Sequence, residues 1–305
     1  MATIEVENLQ KRYGDIVALE HVSFSVGEGE VFCLLGPNGA GKSTTAEILE
    51  GYRVRNGGAV SVLGHDPGRG ERALRERVGI VLQECGIQQD LSVAELLEMY
   101  GSYYPRRRSV DELIELVELD AKRETRVRQL SGGQRRRLDL ALGLVGDPDV
   151  LFLDEPTTGF DPSARRQAWS TIKNLCALGK TVFLTTHFMD EAQALADRIA
   201  VMRAGEIVAT GTPAEIGGRG EAPTEIRFAL PEGVRFGELP ALDAQVTLLD
   251  GSVLVLAREG VAAANRISGW ALERGHELRG FTVAQPSLED VYLRLTEHVE
   301  KEIAS

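Results

Sequence analysis

An α/β fold built on a parallel sheet is what the sequence predicts, and three observations predict it. Val31–Leu35 is an apolar run that passes straight into Gly36-Pro37-Asn38-Gly39-Ala40-Gly41-Lys42-Ser43. That segment fits the phosphate-loop pattern G-x-x-x-x-G-K-[ST], and Lys42–Glu50 then reads as a helix that Gly51 ends. Val150–Leu153 is a second continuous apolar run, as expected of a strand covered on both faces, and it ends in Asp154-Glu155. Around these two points strands alternate with helices, the pattern of a parallel α/β core.

The other elements follow in chain order. Ile4–Leu9 alternates apolar and polar residues and reads as a strand, without the basic and apolar regions of a signal peptide. Val22–Val26 is a further strand. From about Ser92 to Leu144 the spacing turns helical, with Val110, Leu113, Ile114 and Val117 on one face. A helix near Arg165–Leu178 and a strand at Thr181–Thr185 come next. Ile199–Met202 and Ile207–Ala209 flank Arg203-Ala204-Gly205-Glu206 and predict a hairpin. Composition shifts at Gly217–Pro223, which reads as a linker. Past it, Ile226, Phe228 and Leu230 alternate, as do Val253 and Val255, and helical patterns follow at Val261–Arg274 and Leu288–Leu295. The expected organisation is therefore a large domain over residues 1–216, a linker at 217–223, and a small mixed α/β C-terminal domain at 224–305.

Composition narrows the function. An apolar fraction of 43% beside 26% charged residues is ordinary for a globular protein. The net charge of −12 argues against a duplex nucleic-acid partner, which requires a basic face. No apolar stretch approaches the roughly 18 residues a membrane helix needs, so any membrane role is expected to come through other chains. Cys33, Cys85 and Cys176 lack metal-ligand spacing and read as reduced thiols. Arg106-Arg107-Arg108 and Arg135-Arg136-Arg137 read as solvated faces rather than lipid or partner contacts.

Three motifs carry chemistry. In the phosphate loop, glycines let successive backbone N–H groups converge on phosphate oxygens, and the helix that follows adds the positive end of its dipole. Lys42 would reach the β- and γ-phosphates, Ser43 would bind Mg²⁺, and Thr44 lies one residue on, towards the α-phosphate. Asp154, leaving its strand, would hold Mg²⁺ directly or through water. Leu130-Ser131-Gly132-Gly133-Gln134 opens the helical run Arg135–Leu144, with Ser131 as N-cap and free N–H groups beside it that suit a phosphate.

Phosphate loop, LSGGQ and strand-borne Asp-Glu, in that order, resemble the nucleotide-binding domain of ATP-binding-cassette (ABC) proteins. The resemblance covers residues 3–215 motif by motif and implies a P-loop NTPase core of ABC type, with a helical subdomain at about 85–148. It implies Glu155 as general base, Gln83 as sensor of Mg²⁺ and the attacking water, His187 at the γ-phosphate, and Tyr13 as the ring on which adenine stacks. Asp161 matches a loop at the dimer interface, with Phe160 where leucine is more usual. The LSGGQ of the family contacts ATP held by a different subunit. One copy of each half-site per chain thus implies a dimer of this chain, with Walker A of one copy facing Ser131, Gly132, Gly133 and Gln134 of the other.

Leu82–Gly86, Asp154–Gly159 and Pro286–Tyr292 look like the daunorubicin/multidrug-resistance type of bacterial exporter. In that group a separate multi-span permease partners the ATPase, which places it at the cytoplasmic face of the membrane. By family analogy residues 83–119 form the groove for a short cytoplasmic helix of that permease. Two other readings fit less well. ABC ATPases of DNA repair carry a long coiled coil between the phosphate loop and LSGGQ, and those of the ribosome carry two cassettes and basic linkers; this chain has neither. A regulator without turnover would not need Lys42, Glu155 and His187 together.

Overall fold

The structure is a computed structural model that describes residues 2–81, 86–177, 179–218, 222–249, 251–285, 287–290 and 292. The chain divides into two units, Met1–Pro213 and Ala214–Ser305, parting just before the segment that reads as a linker.

The first unit holds two sheets. β1 (Ala2–Tyr13) and β2 (Ile16–Gly27) form a hairpin closed at Gly14-Asp15, where Gly14 takes a positive φ. After β3 (Val31–Leu35) and α1 (Lys42–Leu49) comes β4 (Gly57–Val62), which pairs antiparallel with β1 and completes a three-stranded sheet ordered β2-β1-β4. The sequence reading does not anticipate β4, because Gly57-Gly58-Ala59 gives no apolar alternation. Next follow α2 (Arg72–Arg75), β5 (Val78–Val81), and the helices α3 (Val93–Gly101), α4 (Val110–Leu116) and α5 (Gly132–Leu144). The chain returns to β structure at β6 (Val150–Asp154), then runs through α6 (Pro162–Ala177), β7 (Thr181–Thr186) and α7 (Met189–Leu195). It closes with the hairpin β8 (Arg198–Arg203) and β9 (Glu206–Gly211). The second sheet has the order β5-β6-β7-β3-β8-β9, parallel except for β9.

Its central strands β3 and β7 are buried at every position, as expected where both faces are covered. Phe24 of β2 stacks on Phe32 of β3 at 5.0 Å and on Phe183 of β7 at 5.8 Å, so the two sheets share one core. Close backbone contact seats α5 on the parallel sheet. A Cβ on Gly79 of β5 would lie 2.0 Å from the Gly143 carbonyl, and one on Gly143 would lie 2.6 Å from Val81. Glycine at both positions lets helix and strand touch directly.

Arg106 and Arg107 are exposed, as the reading of a solvated face expects, but Arg108 is largely covered and all three are paired. Arg106 and Arg108 both pair with Asp147, to which Lys180 also donates at 2.8 Å, while Arg107 meets Glu98 at 2.9 Å. Three cations around one carboxylate knit the loop before α4 to the ends of α5 and α6. Among the described residues no helix is long and apolar enough to cross a membrane.

In the second unit, β10 (Thr224–Ala229), β11 (Gln245–Leu249), β12 (Ser252–Ala257) and β13 (Thr282–Ala284) build an antiparallel sheet ordered β11-β12-β10-β13, and α8 (Gly260–Arg274) joins β12 to β13 in the chain. Ile226, Phe228, Val253 and Val255 alternate inward and meet Ile267 of α8 in a separate core. Of the helical pattern at Leu288–Leu295, residues 288–290 and 292 are described and are helical, and the others fall outside the described residues.

One buried group runs against this economy. Glu50 closes α1 at the negative end of its dipole and is only 9% exposed. Burial, with Asp154 and Glu47 adding repulsion, pushes its carboxyl from 4.5 up to about 8. Between those values the folded chain binds more protons than the unfolded one, so stability falls as pH rises.

Two outcomes follow. Phe183→Ala should cost the first unit about 3–5 kcal/mol through cavity formation. Urea unfolding followed by fluorotryptophan NMR reads this at Trp169, while the Trp270 signal of the second unit should keep its midpoint. Glu50→Gln should be more stable than wild type by a margin that widens from pH 5 to pH 8. The widening is at most about 1.4 kcal/mol per pH unit, and a margin that does not change with pH would refute the buried charge.

Candidate nucleotide site

The site forms where β3, β6 and β7 end together. The Gly36 N–H donates to the Thr186 carbonyl at 3.2 Å, tying the start of the loop to the end of β7. The Ala40 N–H closes a turn onto Pro37 O, and Ala40 O accepts from the Gly205 N–H of the β8–β9 hairpin. Gly41, at φ +105°, turns the chain into α1. A Cβ there would strike Leu19 at 2.7 Å and the Ala18 carbonyl at 2.8 Å, so only glycine serves.

No side chain caps the start of α1, whereas Ser92, Ser109 and Ser131 cap α3, α4 and α5. Its first N–H groups, on Lys42, Ser43 and Thr44, thus keep their donors for an anion. Lys42 is 4% exposed. Its Nζ donates to Gly36 O at 2.9 Å and Pro37 O at 3.1 Å and stands 3.5 Å from Glu155 Oε1. Burial lowers its pKa, and the Glu155 carboxylate opposes the fall.

At the end of β6 two carboxylates diverge. Asp154 Oδ1 accepts from the Ser43 hydroxyl at 3.4 Å and from the Thr185 hydroxyl of β7. Glu155 has φ +44°, a left-handed conformation that costs a non-glycine residue about 1–3 kcal/mol, fixed by its N–H bond to Thr185 O at 3.0 Å. Its Oε1 lies 3.1 Å from His187 Nδ1, and its Oε2 accepts from the Thr158 hydroxyl at 3.1 Å. A carboxylate only accepts, so Nδ1 carries the proton of that bond. Burial works to raise the Glu155 pKa, but His187, Lys42 and Thr158 outweigh it and hold the carboxyl below its usual range.

The fold thus gathers Lys42, Ser43, Asp154, Glu155 and His187 into one connected cluster. Tyr13 ends β1, 38% exposed, with Lys11 Nζ 4.8 Å and the Arg53 guanidinium 5.5 Å from its ring centre. Gln83 lies outside the described residues. Ser131, Gly132, Gly133 and Gln134 line a different cleft, of about 780 Å³, together with Asp161. The Ser131 hydroxyl accepts from the Gln134 N–H, and the Gln134 side chain accepts from the Ser131 N–H. Of the donors expected free here, those two are therefore engaged. Asp161 caps α6, accepting from the Ser163 and Ala164 N–H groups at 2.8 and 2.9 Å.

Sequence reasoning missed three contributors. Thr185 links Asp154 and Glu155; its signal is a polar pair closing an otherwise apolar strand. Thr158 holds the second oxygen of Glu155. Arg136, read as solvated, is 11% exposed and donates to Pro156 O at 2.9 Å and Asp154 O at 3.3 Å. Its neighbour Arg137 likewise serves the Val117 and Glu118 carbonyls.

These features fit a magnesium nucleotide. An uncapped helix start and a buried ammonium suit phosphates, and Ser43 with Asp154 offers two hard oxygen ligands of the few a phosphate-bound Mg²⁺ takes from protein.

Comparison with known proteins agrees. Residues 19–158 match the family described as ABC transporter, and residues 224–287 match the ABC transporter domain-containing protein-like C-terminal domain. The Nod factor export ATP-binding protein I of Paraburkholderia xenovorans is 39% identical over 303 residues, covering 97% of each chain. The daunorubicin resistance ATP-binding protein DrrA3 of Streptomyces coeruleorubidus is 39% identical over 313 residues, covering 96% of this chain and 95% of that one. Among solved structures, an ATP-binding cassette in a dimeric post-hydrolysis state with ADP and Pi matches with a TM-score of 0.62 and 26% identity, covering 68% of this chain and 98% of its own. The cbiO1 protein of Clostridium perfringens, part of an ABC transporter complex, matches with a TM-score of 0.64 and 28% identity, covering 70% and 90%. Phosphate loop, paired carboxylates, LSGGQ helix and full-length likeness converge: this chain belongs to the ABC transporter ATP-binding family and is an ATPase of that family.

Proposed function

We propose that this chain is the ATP-hydrolysing subunit of a membrane exporter and that two copies sandwich two Mg²⁺-ATP molecules. Walker A of one copy, Gly36–Thr44, faces Ser131–Gln134 of the other. The observation that carries this reading is the pair Gly132 and Gly133. Neither takes a positive φ, and a Cβ on Gly132 would meet nothing within 4 Å. A Cβ on Gly133 would meet only Ala164, at 3.9 Å. Neither the backbone nor packing within the chain needs glycine at these positions. Close approach of something from outside does, and the ATP of a partner copy is what it would be.

In that setting the cluster divides the work. Lys42 trades the Gly36 and Pro37 carbonyls for phosphate oxygens, and the first amides of α1 cradle the same phosphates. Ser43 and Asp154 would hold Mg²⁺, with Gln83 assigned to it by the family resemblance alone, and the ion would supply charge neutralisation for the phosphates. Glu155 takes the proton of the attacking water and stays ionised because His187 and Lys42 favour its charged form. His187 orients that carboxylate and reaches the γ-phosphate; Tyr13 stacks against adenine; Asp161 lies across the interface. The relatives named for Nod factor export and daunorubicin resistance support an exporter with a separate multi-span permease, which would hold the chain at the cytoplasmic face of the cell membrane. The net charge of −12 and the internally paired arginine runs count against a nucleic-acid partner.

Glu155→Gln should lower ATP hydrolysis at least about 100-fold while ATP binding persists, as for loss of a general base. Unchanged hydrolysis would remove the assigned base. Gly132→Leu should leave folding and ATP binding intact yet lower hydrolysis by a similar factor. Mixing these two inactive variants should restore activity, because a mixed dimer keeps one site with both halves intact. If the mixture stays inactive while the variants demonstrably form mixed dimers, the composite site is wrong.

A further inference from the structure

We propose that Glu191, in the first turn of α7, is a positioning residue for hydrolysis: its buried carboxyl holds the segment bearing Glu155 against the segment bearing His187. The inference rests on the reading of Glu155 as the base and adds what keeps that base in place.

Glu191 is completely buried, which is rare for a carboxyl and costly unless the group is bonded. Its Oε1 accepts from two side chains, the Thr157 hydroxyl at 2.7 Å and the Trp169 indole N–H at 3.0 Å. Thr157 is itself completely buried. Burial pushes the Glu191 carboxyl above its ordinary range, opposed by Thr186, Thr157, Trp169 and the charge of Arg165. Oε1 can accept whether or not the other oxygen carries a proton, so the anchor needs an acceptor there and not a charge.

What the anchor holds gives it its role. Thr157 stands two residues past Glu155, in a turn closed by the Thr158 N–H on Glu155 O at 3.2 Å and the Phe160 N–H on Thr157 O at 3.1 Å. Thr158 in turn donates its hydroxyl to Glu155 Oε2. On the other side, Glu191 lies four residues past His187. The same two segments are thus joined twice, by Glu155 and His187 in the site at 3.1 Å and by Thr157 and Glu191 in the interior. In the proposed reaction the first bond is disturbed, because Glu155 takes a proton and His187 reaches the γ-phosphate. The second is sealed from solvent and persists, keeping base and histidine in register while they change partners. Trp169 extends the hold to α6, the helix that Asp161 caps. The Arg165–Asp190 pair also joins α6 to α7, but its carboxylate is 58% exposed and it contributes little by comparison.

Steady-state ATP hydrolysis by the full chain tests this. Glu191→Met, which removes the acceptor, should lower kcat about tenfold or more and leave KM for ATP within about twofold of wild type. Glu191→Gln keeps an acceptor oxygen and should hold kcat within about threefold of wild type. Thr157→Val leaves Glu191 in place and should lose kcat as Glu191→Met does, which keeps the bond testable if that variant does not fold. Added to Glu155→Gln, Thr157→Val should cost nothing further, because the anchor acts through the base. A wild-type kcat in Thr157→Val, or a full further loss in the Glu155→Gln background, would overturn the anchor and leave the base standing. Wild-type hydrolysis by Glu155→Gln alone would instead overturn the base, the reading on which the anchor depends.

Discussion

The parallel register of β3, β6 and β7 is the constraint on which the site depends. Leu35 lies opposite Thr186, and Asp154 opposite Thr185, so three strands end at one level. That alignment brings Lys42 and Ser43 at the end of the phosphate loop within reach of Asp154 and Glu155, although the two segments lie more than a hundred residues apart. Shifting one strand by a residue would turn Asp154 to the other face of the sheet and dissolve the cluster. Complete burial of β3 and β7 makes such a slip costly, since every side chain along them is already packed.

Much of this was legible from the chain. The apolar runs at Val31–Leu35 and Val150–Leu153 announced both strands, and the glycine pattern with Lys42 announced the turn between strand and helix. What stayed hidden depends on partners distant in sequence. β4 has a glycine-rich start and becomes a strand only because β1 offers its edge. Thr185 is an ordinary threonine until register sets it against Asp154. The arginine runs look like surface because composition alone does not show where a guanidinium ends, and backbone carbonyls and Asp147 claim most of them. Ser131 read correctly as a cap, but its reciprocal bond with Gln134 consumes donors that the pattern counted as free.

The site also keeps energetically unfavourable features. Glu155 holds a left-handed backbone, Lys42 keeps its ammonium buried, and Glu50 keeps a carboxyl at the wrong end of a helix. The first two lie within the cluster that would handle phosphate; the third lies at the opposite end of α1. A short, rigid helix thus has a strained group at each end, and its core face, through Ala46, Ile48 and Leu49, is fixed in the shared hydrophobic interior.

Arg136 gives the arrangement a mechanical property. Its guanidinium, rooted in the helix that LSGGQ opens, grips the backbone carbonyls on either side of Glu155. Displacement of that helix would therefore be delivered straight to the peptide units on either side of Glu155, not diluted through the hydrophobic interior. The helix that LSGGQ opens and the backbone around Glu155 are thereby joined through the Arg136 side chain, so a shift of one bears on the aim of the other.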